Sequence, residues 1–337
     1  MSTALDVAAL RAYLGSVFGP ADAPEIAHVA GGQSNPTCFV TYGGRRMVLR
    51  RQPAGPILRG AHAIDREFRM LSALHGTDVP VPAPIVYCDD RSILGTPFYL
   101  MERIEGRVFH NAALPDLPAD ERHQIYLSMA QTLAQLHALR PDQIGLADFG
   151  KPGNYFARQV ARWGRQWREA EARNIPEIDQ LERWLLAHMP ADDGAEAIAH
   201  GDFRPGNLIF HPTKPRVIGI LDWELSTLGH PLADLGFFCM AWRTTPEEYG
   251  GLRGLDLAAL GIPARETFVV EYMRHAISTT QLAPFHEAFA LFRFAVIFVG
   301  IADRAQLGTA ADQNAAKLAP LARAFARRGL ELADSTP

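Results

Sequence analysis

The chain has 337 residues, a formal net charge of −4, 48% apolar and 21% charged residues. That length suits two modest domains or one two-lobed enzyme. The negative charge, with no Lys/Arg block, excludes electrostatically driven nucleic-acid binding, and three distant cysteines, Cys38, Cys88 and Cys239, without a CxxC pair, exclude a disulfide frame or zinc site and point to a cytoplasmic protein with reduced thiols.

The N-terminus, MSTALDVAALRAYLGSVFG, lacks the basic start and unbroken apolar run of a signal peptide. It reads as an amphipathic helix with Leu5, Leu10, Tyr13, Leu14, Val17 and Phe18 inward. EIAHVAGG (25–32) reads as a strand ending in a glycine pair, and TCFVTY (37–42) and RRMVLRR (45–51) flank Gly43-Gly44, a two-residue hairpin signal. After a Pro/Gly loop, AHAIDREFRMLSALHG (61–76) has helical periodicity through Ile64, Phe68, Leu71 and Leu74, with Gly76 suited to its end. A Pro-rich connector, VPVPAP, leads to two more strand-like runs, PIVYCD and PFYLMERI.

After Gly106 the character changes to mostly helical segments, beginning with ERHQIYLSMAQTLAQLHAL (121–139). In YFARQVARWGRQWREA (155–170), Phe156, Val160, Trp163 and Trp167 share one face, with Arg158, Arg162 and Arg165 roughly opposite. That pattern is either a core face with a solvated face or a basic wall beside a ligand. AFALFRFAVIFVGI (288–301) is the most apolar stretch; it is too short to span a bilayer and holds Arg293, so it predicts a buried core helix rather than a membrane segment.

The helical pattern is broken at 198–222, which contains HGDFRPGNLIF-HPTKP-RVIGILD. LIF and VIGIL, joined by a Pro-flanked turn, predict an antiparallel hairpin. Asn207 opens its first strand, Asp222 closes its second, and Asp202 lies on the loop feeding the same end, so the three side chains are expected to converge. Hard oxygen ligands of this kind suit Mg²⁺. The spacing Asp-x-x-x-x-Asn, then an Asp after a hairpin, matches the arrangement of protein kinases, in which the first Asp receives the proton of the attacking hydroxyl and the other two hold metal against the nucleotide phosphates.

HGDFRPGNLIF and ILDWELSTLGHPLADLGFF resemble the aminoglycoside phosphotransferase and choline kinase superfamily, and GGQSNPT with PAGPILRGAHAIDREF resembles the kinase-like domains associated with acyl-CoA dehydrogenases. The resemblance implies an α+β, bilobal protein-kinase-like fold. It has a small antiparallel-sheet N-lobe at 1–103 and a larger, mostly helical C-lobe at 104–337. It implies an ATP- and Mg-dependent phosphotransferase acting on the hydroxyl of a small molecule, with ATP or GTP as donor. Asp202 would be the catalytic base, and Asn207 and Asp222 the metal ligands. His200 would brace the loop, unless it is only a structural histidine, and Asp234 would cap the loop backbone. Glu67 would pair with the basic residue that anchors the phosphates, Gly31 and Gly32 would let a turn approach the triphosphate, and backbone groups of Glu102 and Ile104 would hold adenine. Arg204 would reach the transferring phosphoryl or form a loop salt bridge, and Glu224 would stand beside the metal or at the surface.

The chain departs from that pattern at the phosphate anchor. The usual residue is a lysine on the third strand, yet the first 150 residues contain no lysine. Arg50 aligns best, with Arg51 second, and strand alternation turns only one of them to the cleft. The glycine loop reads GGQSNPT, so Gln33, Ser34 and Asn35 are candidates for added phosphate contacts. Segment 151–168 carries Lys151, Arg158, Arg162, Arg165 and Arg168 and no acidic residue, which suits an anionic acceptor, such as a hydroxy acid or hydroxyacyl-CoA, better than an aminoglycoside polycation. The rival readings are a nucleotide-binding regulatory pseudokinase, an aminoglycoside or amino-alcohol kinase, and a metal-dependent hydrolase. Oligomeric state is not legible in the sequence.

Overall fold

The computed structural model describes residues 5–29, 35–53, 63–171, 174–277, 279–306 and 318–334. The chain divides into two compact units: Met1–Gly106 with Ile218–Glu224, and Arg107–Val217 with Leu225–Pro337.

The first unit opens with helix α1 (Val7–Phe18), capped by Asp6, whose carboxylate accepts from the Ala9 N–H at 3.0 Å. Strands β1 (Glu25–His28), β2 (Thr37–Tyr42) and β3 (Arg45–Arg51) follow, then α2 (Ile64–Leu74), β4 (Pro84–Cys88), the short α3 (Arg91–Leu94) and β5 (Phe98–Glu102). The five strands form one antiparallel sheet in the order β1-β2-β3-β5-β4. Gly43 and Gly44, at φ 54° and 76°, make the expected tight turn between β2 and β3; two successive positive φ values match the right-handed strand twist and are inexpensive for glycine.

The sheet's two faces are built differently. Leu10 and Leu14 of α1 pack on Cys38, Val40, Met47, Leu49, Phe98 and Leu100. Leu5 is buried with them, but Val17, expected inward, is 41% exposed. It sits in the last turn of α1, where the helix runs out beside Gly19. On the α2 side, Phe68 meets the rings of Tyr87 and Tyr99 at 5.7 and 5.8 Å. Alternation along β3 thus sends Leu49 and Arg50 to opposite faces.

The second unit contains α4 (Ala119–Ala138), α5 (Tyr155–Glu169), α6 (Pro176–Ala187), β6 (Ala197–Ala199) and β7 (Leu208–Phe210). β8 (Val217–Ile220) carries the chain across the division into the first unit. The turn between β7 and β8 closes where the His211 N–H donates to the Arg216 carbonyl at 2.9 Å. After β9 (Thr227–Gly229), which pairs with β6, come α7 (Pro231–Cys239), α8 (Leu257–Leu260), α9 (Arg265–His275), α10 (Pro284–Gln306) and α11 (Ala319–Asp334). Phe156, Val160, Trp163 and Trp167 of α5 enter the same core as Phe289, Phe292 and Val296 of α10 and Phe325 of α11. α10 extends beyond 288–301 at both ends, so, unlike the apolar run read from the sequence, Pro284–Arg304 is the one helix among the described residues long and apolar enough to cross a membrane; it is 78% buried inside the fold, as the expected core helix requires.

Candidate active site

In the second unit the loop 200–207 is launched by β6 and ends in a 3-10 turn, Pro205–Asn207, that runs straight into β7. Asp234, buried on α7, holds the loop from beneath: it accepts the His200 N–H at 2.6 Å and the Gly201 N–H at 2.9 Å. His137 of α4 approaches the same carboxylate at 3.3 Å, and its other ring nitrogen is 2.7 Å from the Tyr272 hydroxyl. Burial alone would raise the Asp234 pKa; the His137 hydrogen bond, the His137 and His200 charges and the Gly201 N–H outweigh it, so the carboxyl lies below its ordinary range. Gly201 is required here: its φ is +82°, and a Cβ would stand 2.8 Å from the Leu225 carbonyl oxygen. The His200 ring accepts the Asp202 N–H at 3.1 Å, which fixes the start of the turn.

Asp202 is held at the tip of this loop. The Asn207 amide nitrogen donates to the Asp202 carbonyl at 2.9 Å and to its Oδ2 at 2.7 Å, which leaves the Asn207 Oδ1 as that side chain's acceptor. Arg204 Nε donates to the same Oδ2 at 3.2 Å, so the salt bridge expected as one reading of Arg204 is present. Beside Arg204 lies a pocket of about 80 Å³, lined by Tyr126, Phe203, Phe237, Phe238, Met240 and Tyr249 with His110 and the Gly250-Gly251 pair, and by no carboxylate. Tyr249 has φ 70°, a left-handed value that a bulky side chain rarely adopts, and is 43% exposed. The sequence reading missed it; the adjoining Gly250-Gly251 pair is the signal that marks a special turn there.

In the first unit Arg50 lies between two carboxylates, 3.2 Å from Glu67 Oε2 and 3.1 Å from Asp222 Oδ1. Arg51 instead faces the α1 side, buried at 8% exposure and near enough to Cys38 to act on its thiol electrostatically. Tyr99 donates to Glu67 Oε2 at 2.9 Å and Asn35 to Oε1 at 2.6 Å. Burial pushes the Glu67 carboxyl up, against the pull of Arg50 and of those two hydrogen bonds. Burial also raises the Tyr99 hydroxyl far above its ordinary range, so it is a neutral donor. Asp222 has φ 64°, a left-handed conformation that Asp tolerates in a turn.

Carboxylate oxygens of Glu67, Asp222 and Glu224 lie within 4.8 Å of one another. With Glu67 already accepting from Tyr99 and Asn35, Asp222 and Glu224 are the hard oxygen donors of that group, a set that fits Mg²⁺ better than a soft metal. Trp223 between them is buried and donates to the Ile220 carbonyl at 3.1 Å. Glu102 closes β5, and its N–H donates to the Ala83 carbonyl at 2.8 Å, so only its carbonyl can serve a ligand. Ile104 follows in the connector after β5. Asn35, expected to face phosphate, turns its amide inward to Glu67 and is 2% exposed. Gly31, Gly32, Gln33 and Ser34 lie outside the described residues. Asp202, Arg204 and Asn207 thus belong to the second unit, and Arg50, Glu67 and Asp222 to the first.

The arginine face of α5 is solvated rather than a uniform basic wall. Arg158 donates to the carbonyls of Pro152 and Lys151, and Arg168 pairs with Glu182 at 2.6 Å. The pocket that includes Lys151 and Arg158 also includes Asp192, Asp193 and Glu196. The absence of acid within 151–168 is true of the sequence but not of the space around it, because 192–196 folds back beside it.

This α+β architecture is that of the kinase-like phosphotransferases that use an alcohol group as acceptor. The chain belongs to the phosphotransferase enzyme family, whose profile matches residues 25–272. It is 41% identical to a solved Ralstonia eutropha JMP134 chain provisionally called an aminoglycoside phosphotransferase, with a TM-score of 0.88, covering 98% of this chain and 99% of that one. The aminoglycoside phosphotransferase APH(4)-Ia, solved with AMP-PNP and hygromycin B, shares the fold at a TM-score of 0.63 and 14% identity, over 95% of this chain and 98% of that one. Acyl-CoA dehydrogenase family member 11 of Gallus gallus is 40% identical over 93% of this chain and 41% of its own length, and family member 10 of Mus musculus is 40% identical over 96% and 31%. The chain therefore spans about two fifths or less of the length of these curated relatives.

Proposed function

We propose that the chain transfers the γ-phosphoryl of ATP, with Mg²⁺, to a hydroxyl of a small molecule. The observation that carries this reading is Asp202 itself: a carboxylate at the tip of a braced loop, oriented by Asn207 and Arg204. Asp202 orients the acceptor hydroxyl and takes its proton. Asn207, through Oδ1, and Asp222 are the proposed metal ligands, with Glu224 beside Asp222. Arg50 anchors the α/β-phosphates, backed by Glu67, while Gly31, Gly32, Gln33 and Ser34 approach the triphosphate and Glu102 and Ile104 hold adenine. On this reading 1–103 binds the nucleotide, and 104–337 supplies the loop and the acceptor pocket. Bound Mg·ATP brings the transferable phosphoryl and neutralises its charge. The chain's own contribution is position and electrostatics: a fixed acceptor oxygen and the Arg204 guanidinium where charge develops.

For the acceptor we propose a hydroxyl on an apolar chain that also carries negative charge, such as a hydroxy acid or a hydroxyacyl-CoA. The support comes from the aromatic pocket at Arg204, which has an apolar lining and no carboxylate in it, while Arg204 itself pairs with Asp202. The relatives' name, acyl-CoA dehydrogenase, points the same way. The test is steady-state phosphorylation of hydroxyacyl-CoA thioesters, choline and kanamycin-like amines side by side, with Mg²⁺ and ATP or GTP. Turnover of the polyamine alone would reject the acceptor class. No transfer to any hydroxyl in a metabolite pool, with nucleotide still bound, would leave the regulatory pseudokinase in its place.

A further inference from the structure

The loop that carries Asp202 has a polar neighbour that the proposed reaction does not yet use. Segment 107–114 of the second unit is pinned on both sides of His110. Before it, the Arg107 N–H donates to the Phe210 carbonyl and the Phe210 N–H to the Arg107 carbonyl, each at 2.8 Å, which ties the segment to β7. After it, the Asn111 Oδ1 accepts the Ala113 N–H at 2.9 Å, and the Ala112 and Leu114 carbonyls accept from Tyr126 and Arg122 of α4 at 2.6 and 2.7 Å. His110 is nonetheless exposed, and among the described residues its ring makes no hydrogen bond. A structural histidine would spend its ring nitrogens on the fold; this one is held in place by its backbone, with the ring left over.

The ring faces the Asp202 loop. A Cβ built on Gly206, one residue before Asn207, would stand 3.3 Å from His110 Nδ1 and 3.5 Å from Arg204 Nη1. The bare glycine thus leaves a gap with a ring nitrogen on one side and a guanidinium on the other. His110, Arg204 and Gly206 all line the apolar pocket, and there Tyr126, Phe203, Phe237 and Phe238 are buried while His110 and Tyr249 are exposed. The buried rings are therefore the floor, and His110 stands at the mouth. Burial raises the Tyr249 hydroxyl, and the charges of Arg204 and Asp202 act on it in opposite directions, so the mouth lies close to the proposed base.

We propose that His110 is a specificity-determining residue for the acceptor: from the mouth of the apolar pocket its ring N–H donates to a carbonyl or carboxylate oxygen near the hydroxyl that receives the phosphoryl. Arg204 Nε is already engaged by Asp202, which leaves His110 as the donor beside Gly206 for a second acceptor oxygen. This rests on Asp202 as the base and on the pocket as the acceptor site, as read above. It adds the group by which a hydroxy acid or a hydroxyacyl-CoA is recognised, the acyl oxygen that the two share.

The experiment is steady-state transfer from Mg·ATP to hydroxypentanoates bearing the hydroxyl at each carbon in turn, and to their CoA thioesters, with melting temperature as the fold control. His110→Leu should raise KM for the acceptor by about 10-fold, the cost of one lost hydrogen bond to a charged or strongly polar oxygen, with kcat and Mg·AMP-PNP affinity within about 2-fold. His110→Asn, whose amide nitrogen stands where Nδ1 stood, should bring KM back to within about 2-fold of wild type. A larger rise for the free acids identifies the carboxylate as the oxygen read, and a larger rise for the thioesters the carbonyl. An unchanged KM in His110→Leu, or an Asn variant no better than the Leu variant, overturns the inference while leaving the phosphotransferase reading in place. Wild-type chain that binds Mg·AMP-PNP but transfers to none of these compounds overturns the acceptor reading and the inference with it.

Discussion

Asp202 and Asp222 are both carboxylates on turns, and their surroundings assign them different work. Asp202 is oriented by donors on its own loop, Asn207 and Arg204, whereas Asp222 faces Arg50 and stands beside Glu224. Asp202→Asn should therefore lower phosphoryl transfer by about 10²–10⁴ while leaving Mg·ATP affinity within a few-fold, since a general base touches the acceptor and not the nucleotide. Single-turnover rates beside calorimetric affinity make the check, and lost nucleotide binding would exchange the two roles. Asp222→Ala should do the reverse and abolish the Mg²⁺-dependent part of nucleotide affinity, because the triphosphate charge then goes uncompensated. Equal affinities with and without Mg²⁺ in the wild-type chain would remove Asp222 from the metal site.

Strand β3 shows the same logic one level up. Its pleat sends Met47 and Leu49 toward α1 and Arg50 toward α2, so two adjacent arginines have unrelated environments. Arg50→Met should weaken nucleotide binding by about 10-fold or more, the cost of losing a charge-assisted phosphate contact. Arg51→Met should leave affinity within about 2-fold and show itself only in the melting temperature. Equal losses of affinity would mean that neither arginine is the anchor. The pleat was legible in RRMVLRR; which face carries the acidic partner was not, because Glu67 arrives from α2 and Tyr99 from β5. Helix α5 gives the contrary case. Its apolar face was readable from periodicity and does enter the core, yet the meaning of its arginines depended on Glu182 and on the 192–196 segment, distant in sequence.

At the scale of the whole molecule, stability should depend on pH through a buried histidine pair. His230 and His286 stack at 6.0 Å in the second unit; Asp193 lies 3.2 Å from His230, and the Ala283 N–H donates to His286 at 2.9 Å. Burial, then the neighbouring His230 charge, brings His286 down to about 4 from its ordinary 6.5. A depressed histidine binds its proton more readily in the unfolded chain. Its contribution is thus fully present above pH 6.5 and is lost as pH falls toward 4, by up to about 3 kcal/mol. Thermal melts from pH 7.5 to 4 should fall through that window, and His286→Gln should flatten the slope there. A variant with an unaltered slope would assign the pH dependence elsewhere, such as to His230, which burial also holds below its ordinary 6.5; Asp234, with its lowered carboxyl, acts only at more acid pH.

The sequence by itself determined the five strands and the two longer helices of the first unit to within a few residues, though not the short α3, because turn glycines, prolines and alternating or helically spaced apolar residues act locally. It also marked Asp202, Asn207 and Asp222 by spacing, since the backbone of one loop and one hairpin sets their order. Only the tertiary structure decided what surrounds them. That Asn35 turns inward, that Tyr99 shares Glu67, that Tyr249 borders the Arg204 pocket and that Asp193 shadows the basic stretch all depend on contacts between segments far apart in the chain. Such contacts are selected by burial and by the need to pair each buried polar group, and neither leaves a periodic trace in a single sequence.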